Sequence, residues 1–331
     1  MAKIKYEDWS PTAAVRSEIR RAEMICREFA AQGYDLTLRQ LYYQFVSKDW
    51  IPNTQRSYDR LGSIINKARM AGMLDWDYIV DRTRNLRANS HWENPDSIID
   101  SAAYSFQVDK WADQPRRVEV WVEKEALAGI VQRVANQHDV AWFSCRGYVS
   151  QSELWGAARR HLRYIQDGQG VTVLHLGDHD PSGIDMTRDI KDRLEKFLNQ
   201  DWLDEHAHEF EGDSVWIAEI RRSMREHVSG DPIEVRRIAL NYDQVEEYDP
   251  PPNPAKLTDS RAKGYIAQHG YESWELDALD PSTLAALITE HIEGLRVDDL
   301  YERSRAIEDE HKRLLAEASS RWPEVVEFLR S

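Results

Sequence analysis

Three acidic residues have the types and spacing that a divalent cation requires. Asp178 and Asp180 are two positions apart in an acidic segment that ends at Gly183, and Glu123 follows the apolar run at 118–122. Residues two apart on an extended chain project to the same side. A lone Asp-x-Asp pair is more often a turn or a helix cap. Carboxylate oxygens from two strand ends, however, are ligands that suit Mg²⁺, and Mg²⁺ sites favour phosphate substrates. We therefore predict a Mg²⁺ site at Glu123, Asp178 and Asp180.

Alternating strands and helices are expected to position these residues. The predicted strands cover 118–122, 140–143 and 171–176, and the predicted helices cover 125–136, 152–165 and 182–198. This order predicts a parallel sheet covered by helices. In such sheets the chemistry lies at the carboxyl ends of the strands, where Glu123 and Asp178 are placed. A terminal helix over about 298–318 either braces this sheet or builds a dimer interface.

The N-terminal third has a helical pattern. Apolar residues recur at three- and four-residue spacing over 13–31, and shorter helices are predicted over 38–48 and 56–70. Three short helices with tight connections indicate a helix-turn-helix or winged-helix core. Basic residues on the third helix and in the following wing region are predicted to bind DNA: Arg56, Arg60, Lys67, Arg69, Arg84 and Arg87. The alternative is a solvated helical bundle with ordinary surface arginines.

Charge and composition limit the class of protein. The chain has 331 residues, is 41% hydrophobic and 31% charged, and carries a net charge of −15. No apolar run is long enough to cross a membrane, and no N-terminal apolar segment indicates export, so a cytoplasmic protein is expected. Residues 1–117 carry 18 Lys+Arg against 16 Asp+Glu, whereas residues 118–331 carry 25 against 42. This asymmetry predicts two domains, 1–114 and 115–331.

Two motifs together resemble a known family. Glu123 with Asp178-x-Asp180 and Gly183 resembles the Toprim domain of topoisomerases, DnaG-type primases and related nucleases, and Val122-Glu-Lys-Glu-Ala-Leu127 is most similar to that of topoisomerase VI A. Upstream, Thr37-Leu-Arg-Gln-Leu-Tyr-Tyr43 resembles the catalytic-tyrosine motif of topoisomerase VI A and the meiotic double-strand-break transesterases. Residues 256–279, with Glu275-Leu-Asp-Ala-Leu279, are similar to compact phage- or plasmid-borne relatives.

The resemblance implies a fold and a reaction. The fold is α/β plus α: a winged-helix (CAP-like) domain, then a Rossmann-like Toprim domain with a helical extension. Family position favours Tyr43 over Tyr42 as the nucleophile, which needs help because a tyrosine hydroxyl has a pKa of about 10. Arg39, four residues earlier on the same helix face, would hold the scissile phosphate. Glu123 would count as a catalytic residue because its carboxylate helps to hold the Mg²⁺. The expected product is a 5′-phosphotyrosyl DNA end and a free 3′-hydroxyl.

The resemblance also implies partners. Double-stranded DNA is the expected substrate, and a homodimer is expected in which each tyrosine meets the metal site of the other protomer. The sequence lacks a GxxxxGK[ST] phosphate loop, so ATP-driven strand passage would need a separate ATPase subunit. A cytoplasmic, nucleoid-associated enzyme is the expectation.

Two other functions stay open. A Toprim-type endonuclease would use the same metal site with water in place of tyrosine, as the nuclease subunit of Wadjet-type plasmid defence does without relying on a tyrosine. A DNA-binding regulator would keep the fold with an inert metal site. Tyr42-Tyr43 argues against the first, and the intact acidic residues argue against the second.

Overall fold

The computed structural model describes residues 3–34, 36–80, 89–210 and 216–331, and this part of the chain forms a mixed α/β fold. The helices are α1 (Ala13–Ala31), α2 (Leu38–Ser47), α3 (Gln55–Met70), α4 (Pro95–Ser105), α5 (Ala128–Gln137), α6 (Gln151–Gln166), α7 (Pro181–Glu205), α8 (Ile217–His227), α9 (Tyr242–Tyr248), α10 (Ala262–His269), α11 (Pro281–Glu293), α12 (Asp298–Ser320) and α13 (Trp322–Arg330). The strands are β1 (Arg116–Val122), β2 (Ala141–Ser144), β3 (Gly170–Leu176), β4 (Ile233–Ala239), β5 (Asn253–Pro254) and β6 (Glu272–Ser273).

The N-terminal helices begin at threonine caps. The side chains of Thr12, Thr37 and Thr54 accept hydrogen bonds from backbone N–H groups in the first turns of α1, α2 and α3. These caps satisfy donors that have no partner inside a helix. The buried faces of the three helices share one hydrophobic cluster, so the predicted helices are confirmed.

A four-stranded parallel sheet forms the centre of the rest of the chain. The strand order is β2-β1-β3-β4, and every neighbouring pair is parallel. The chain passes from β1 to β2 on one side and returns to β3 on the other. The crevice at the carboxyl ends of β1 and β3 is therefore a topological switch point, where α/β sheets bind their ligands.

Helices cover both faces of the sheet, because alternate strand residues point to opposite sides. Val118, Val120 and Val122 of β1 pack in the cluster that contains buried residues of α5 and α11. Trp121 of the same strand packs in the cluster built with α6, α7 and α8. The predicted strands and crossover helices are confirmed, although the helix after β1 begins with a 3-10 turn at Glu125–Leu127 before α5.

The last third of the chain braces the sheet. It supplies β4, which the sequence prediction missed, and α11, which packs against α5. Helix α12 packs against α4, and the Lys110 ammonium lies 2.5 Å from the buried Glu308 carboxylate. Trp111, before the predicted boundary at 114, lies in the core of the sheet. The two-domain division stays a prediction.

Candidate active site

The acidic residues meet at the switch point. Glu123 directly follows β1, and Asp178 follows β3 after Gly177. The carboxylate Oε2 of Glu123 accepts a hydrogen bond of 2.9 Å from the backbone N–H of Asp178. Both side chains are buried. The two strand ends predicted to carry the chemistry are therefore in direct contact.

Asp180 caps the helix that follows. Its Oδ1 accepts hydrogen bonds from the backbone N–H of Gly183 at 2.6 Å and from the Ser182 hydroxyl at 2.9 Å. A Cβ at Gly183 would lie 2.2 Å from the carbonyl oxygen of Asp178, so only glycine allows the helix to begin this close to the strand end. The Asp-x-Asp pair thus includes a helix cap, which is the usual structural role of this pattern.

A half-buried arginine on the unpredicted strand fixes this loop. The guanidinium of Arg237, on β4, donates to the carbonyl oxygens of Gly177 at 2.8 Å, Asp178 at 2.5 Å and Gly183 at 2.9 Å. Burial lowers the pKa of Arg237 to about 10, so it stays charged at neutral pH. Sequence reasoning missed this residue because Glu234, Arg236 and Arg237 interrupt the apolar run of β4.

Lys124 connects three carboxylates. Its ammonium lies 2.9 Å from Asp178 Oδ1, 2.9 Å from Glu275 Oε2 and 2.8 Å from Asp277 Oδ1. Burial alone would lower its pKa, but Asp277, Asp178 and Glu275 outweigh burial and raise it. Lys124 is therefore a charged group inside the site. Its side chain is only 18% exposed, so it is not a surface residue.

The segment at 274–278 joins the sheet to the N-terminal helices. The backbone N–H of Leu276 donates to Asp178 Oδ1 at 2.7 Å, and Trp274 pairs with His179 through two backbone hydrogen bonds. Ala278 packs in the cluster of α1, α2 and α3. Glu275 and Asp277 lie between these anchors, so this segment carries two acidic groups to the junction. The sequence showed them only as part of a resemblance.

The tyrosine motif reaches the same junction from α2. The Nε of Arg39 lies 2.9 Å from Asp277 Oδ2, and its Nη2 donates to Glu275 Oε2. Arg39 and Lys124 therefore share both acids, which links two motifs about eighty residues apart within one chain. Association of a tyrosine with the partner protomer's metal site stays a prediction.

The two tyrosines have different surroundings. The Tyr42 hydroxyl donates to Asn53 Oδ1 at 2.9 Å and lies 3.2 Å from the carbonyl oxygen of Thr54. Tyr43 is buried, and both tyrosines line a cavity of about 180 Å³ together with Arg39 and Glu275. Burial and the negative charge of Glu275 raise the pKa of the Tyr43 hydroxyl. A nucleophilic Tyr43 would need this environment to change when substrate binds.

The chemistry of the sheet-end carboxylates suits a hard cation. Burial raises the pKa of Glu123 and the pKa of Asp178. The negative charge of Asp180 raises the pKa of Glu123 further, and the negative charge of Glu123 raises the pKa of Asp178 further. Such mutual repulsion is what a bound cation relieves. Within the described ranges, no three His, Cys, Asp or Glu side chains are grouped as a ready-made metal site. The donor types fit Mg²⁺, and Lys124 supplies the positive charge beside them.

The predicted DNA-binding residues differ in exposure. Arg56, Arg60 and Lys67 are exposed on α3, and Arg60 pairs with Glu18 at 2.7 Å. Arg69 instead donates to the carbonyl oxygen of Trp76 at 3.0 Å and stacks over its ring at 4.5 Å. The structure therefore places Arg69 in packing. The remaining two, Arg84 and Arg87, lie outside the described residues.

Comparison of the chain with models of protein families gives no match, and no curated protein matches it at a significant level. None of the described helices is long and apolar enough to cross a bilayer.

Proposed function

We propose that this protein cleaves and rejoins DNA by Mg²⁺-dependent tyrosine transesterification, in the manner of topoisomerase VI A. In this proposal α1, α2 and α3 belong to a winged-helix domain, and the parallel sheet with its helices is a Toprim domain. One observation carries the proposal: Arg39 of the tyrosine motif and Lys124 of the metal motif are bound to the same carboxylates.

The roles follow from these positions. Tyr43 Oη would attack the phosphorus and lose its proton to water, while the bond from phosphorus to the 3′-oxygen breaks and that oxygen takes a proton from water. The result is a 5′-phosphotyrosyl bond, which keeps the energy of the cleaved ester for rejoining. Arg39 would orient the phosphate beside Tyr43, because a guanidinium matches two phosphate oxygens.

Glu123, Asp178 and Asp180 would hold the Mg²⁺. When bound, the ion would stabilise negative charge on the phosphate and on the leaving oxygen. Lys124 and Arg237 position these acids, one through its ammonium and the other through the backbone carbonyls of the loop. Double-stranded DNA, a homodimer, nucleoid association and a separate ATPase subunit belong to the same proposal.

Cleavage by water is the second candidate. The burial of Tyr43 and its raised pKa favour this function, because a neutral, buried hydroxyl is a poor nucleophile. The same acids would then serve a Toprim-type endonuclease. The product separates the two functions, because water leaves no protein on the DNA.

The test uses supercoiled plasmid with Mg²⁺, stopped with detergent and analysed with and without proteinase. We expect cleaved DNA whose 5′ ends carry protein. A 3′ exonuclease should digest it, whereas a 5′ exonuclease should not, even after proteinase, because proteinase leaves the tyrosine on the 5′ phosphate. Tyr43→Phe should abolish the protein-linked product. Tyr42→Phe is the matched control, because it removes a neighbouring hydroxyl and should retain part of the cleavage.

Two results would contradict transesterification. Cleavage that persists in Tyr43→Phe would exclude this tyrosine, and free 5′ ends in the wild-type product would point to water. Asp178→Asn should abolish cleavage under either mechanism. Cleavage by that variant at the wild-type rate would remove the metal site from both functions.

A further inference from the structure

The carboxylate of Glu275 lies in an anion-binding environment. Arg39 Nη2 donates to Oε2, Lys124 Nζ lies 2.9 Å from the same oxygen, and Asn253 Nδ2 donates to Oε1 at 3.4 Å. A guanidinium, an ammonium and an amide around one group are the donors that proteins use for phosphate. Burial opposes the charge of Glu275, but Lys124 and Arg39 outweigh burial and lower its pKa to about 2.

This anion site opens into the cavity beside Tyr43. The cavity has a volume of about 180 Å³, and its lining includes Thr54 and Gln55 at the start of α3 as well as Glu275. A helix N-terminus has free N–H groups and a partial positive charge, so it attracts anions. The space next to Glu275 therefore suits a negatively charged group and borders on the predicted nucleophile.

Glu275 and Asp277 hold Arg39 differently. The Asp277 side chain is 0% exposed and binds Arg39 Nε at 2.9 Å, whereas the Glu275 side chain is 25% exposed and binds Nη2. The hydrogen bond from Leu276 N–H to Asp178 fixes the backbone between them. Rotation of the Glu275 side chain would thus free Nη2, while Asp277 keeps the guanidinium in place.

We propose that Glu275 occupies the phosphate site of Arg39 in the free protein, and that a phosphodiester of the DNA replaces it there. The identity of the ligand as DNA rests on the proposed function. Replacement moves one negative charge away from Arg39 as another arrives, so Arg39 is neutralised in both states. Glu275 is then a positioning and gating residue, and it opposes DNA binding by competing for Arg39.

The test measures binding without cleavage. A fluorescein-labelled 20-base-pair duplex is titrated with protein in EDTA, and its anisotropy gives the dissociation constant. Glu275→Gln keeps the shape and removes the charge. We expect it to bind roughly five-fold more tightly than wild type, as expected for loss of one competing ion pair near the surface. The matched control is Glu272→Gln, which removes the same charge from an exposed residue of β6 and should bind within about two-fold of wild type.

A double-mutant cycle assigns the gain to Arg39. In an Arg39→Gln background, Glu275→Gln should give no gain in affinity, because the group for which the two anions compete is absent. Glu275→Ala serves as a second variant with the same expected direction. Circular dichroism confirms that each variant is folded.

Three results would overturn the proposal. The first is unchanged or weaker DNA binding by both Glu275 variants. The second is a gain in affinity from Glu275→Gln that persists in the Arg39→Gln background. The third is no measurable duplex binding by any variant. Failure of the proposed function is a separate result. If wild type forms no tyrosyl-DNA product but the gain and its dependence on Arg39 are observed, the exchange stands and the transesterase proposal fails.

Discussion

Replacement of Lys124 by methionine should destabilise the protein strongly. The ammonium lies within 2.9 Å of Asp178, Glu275 and Asp277, and the methionine would leave these carboxylates without their shared cation. Removing one partner of a buried ion pair costs about 3–5 kcal/mol. We expect about 3 kcal/mol, at the low end, because the Glu275 side chain is 25% exposed and keeps Arg39 as a partner.

The assay is urea unfolding in EDTA, followed by tryptophan fluorescence and circular dichroism. The matched control is Lys191→Met on the exposed side of α7, which removes the same charge and should change the free energy of unfolding by less than about 0.5 kcal/mol. A loss below about 1 kcal/mol in Lys124→Met would refute the reasoning, because it would mean that the carboxylates do not depend on this ammonium.

The free energy of unfolding lost in Lys124→Met should also depend on pH. The pKa of Glu275 is lowered to about 2 in the folded protein, so its stabilising contribution is present above the unfolded value of about 4.3 and is lost as the pH falls toward 2. Without Lys124 this contribution is smaller. Burial raises the pKa of Asp178, so lowering the pH also neutralises the acid that lost its cation. The difference between wild type and Lys124→Met should therefore shrink as the pH falls from 7 to 4, because Asp178 is neutralised in that range, and shrink again below about pH 4 as the Glu275 contribution is lost. An equal difference at pH 7 and pH 4 would contradict this account.

Two further predictions concern the loop after β3. Gly183→Ala should lower the free energy of unfolding by at least about 2 kcal/mol, because the new Cβ would lie 2.2 Å from the carbonyl oxygen of Asp178. The control is Gly156→Ala on α6, whose new Cβ would meet nothing within 4 Å in the described part of the chain. It should raise the free energy of unfolding by about 0.5–1 kcal/mol. Arg237→Met should cost at least about 2 kcal/mol, because buried carbonyl oxygens lose their donor, whereas the neighbouring Arg236→Met should cost less than about 1 kcal/mol. Urea unfolding measures all four, and equal effects within either pair would contradict the assignment.

The unpredicted parts of the fold have local sequences that resemble surface elements. Strand β4 carries Glu234, Arg236 and Arg237 within seven residues, which is not the apolar run expected of a parallel strand. Arg237 is half-buried there, and its guanidinium binds the carbonyl oxygens of a loop about 60 residues away in sequence. No periodicity within the strand reports such a partner.

The same reason explains the incomplete prediction of the site. Glu123 and Asp178 were predictable because each follows a recognisable strand, and the rule for parallel sheets brings strand ends together. Glu275 and Asp277 lie outside any regular strand or long helix. The packing of Ala278, the hydrogen bond from Leu276 and the backbone pairing of Trp274 with His179 carry them to the junction.

The sequence alone determined the local structure: the three capped N-terminal helices, the alternating strands and helices, and two acidic strand ends. Hydrophobic spacing and capping residues act over a few positions, so they can be recognised without the fold. The tertiary structure alone decided that the ammonium of Lys124 joins three acids and that Arg39 meets Glu275 and Asp277. Charges distant in sequence come within contact distance only when the chain has folded, and burial then strengthens their interaction by removing water from between them.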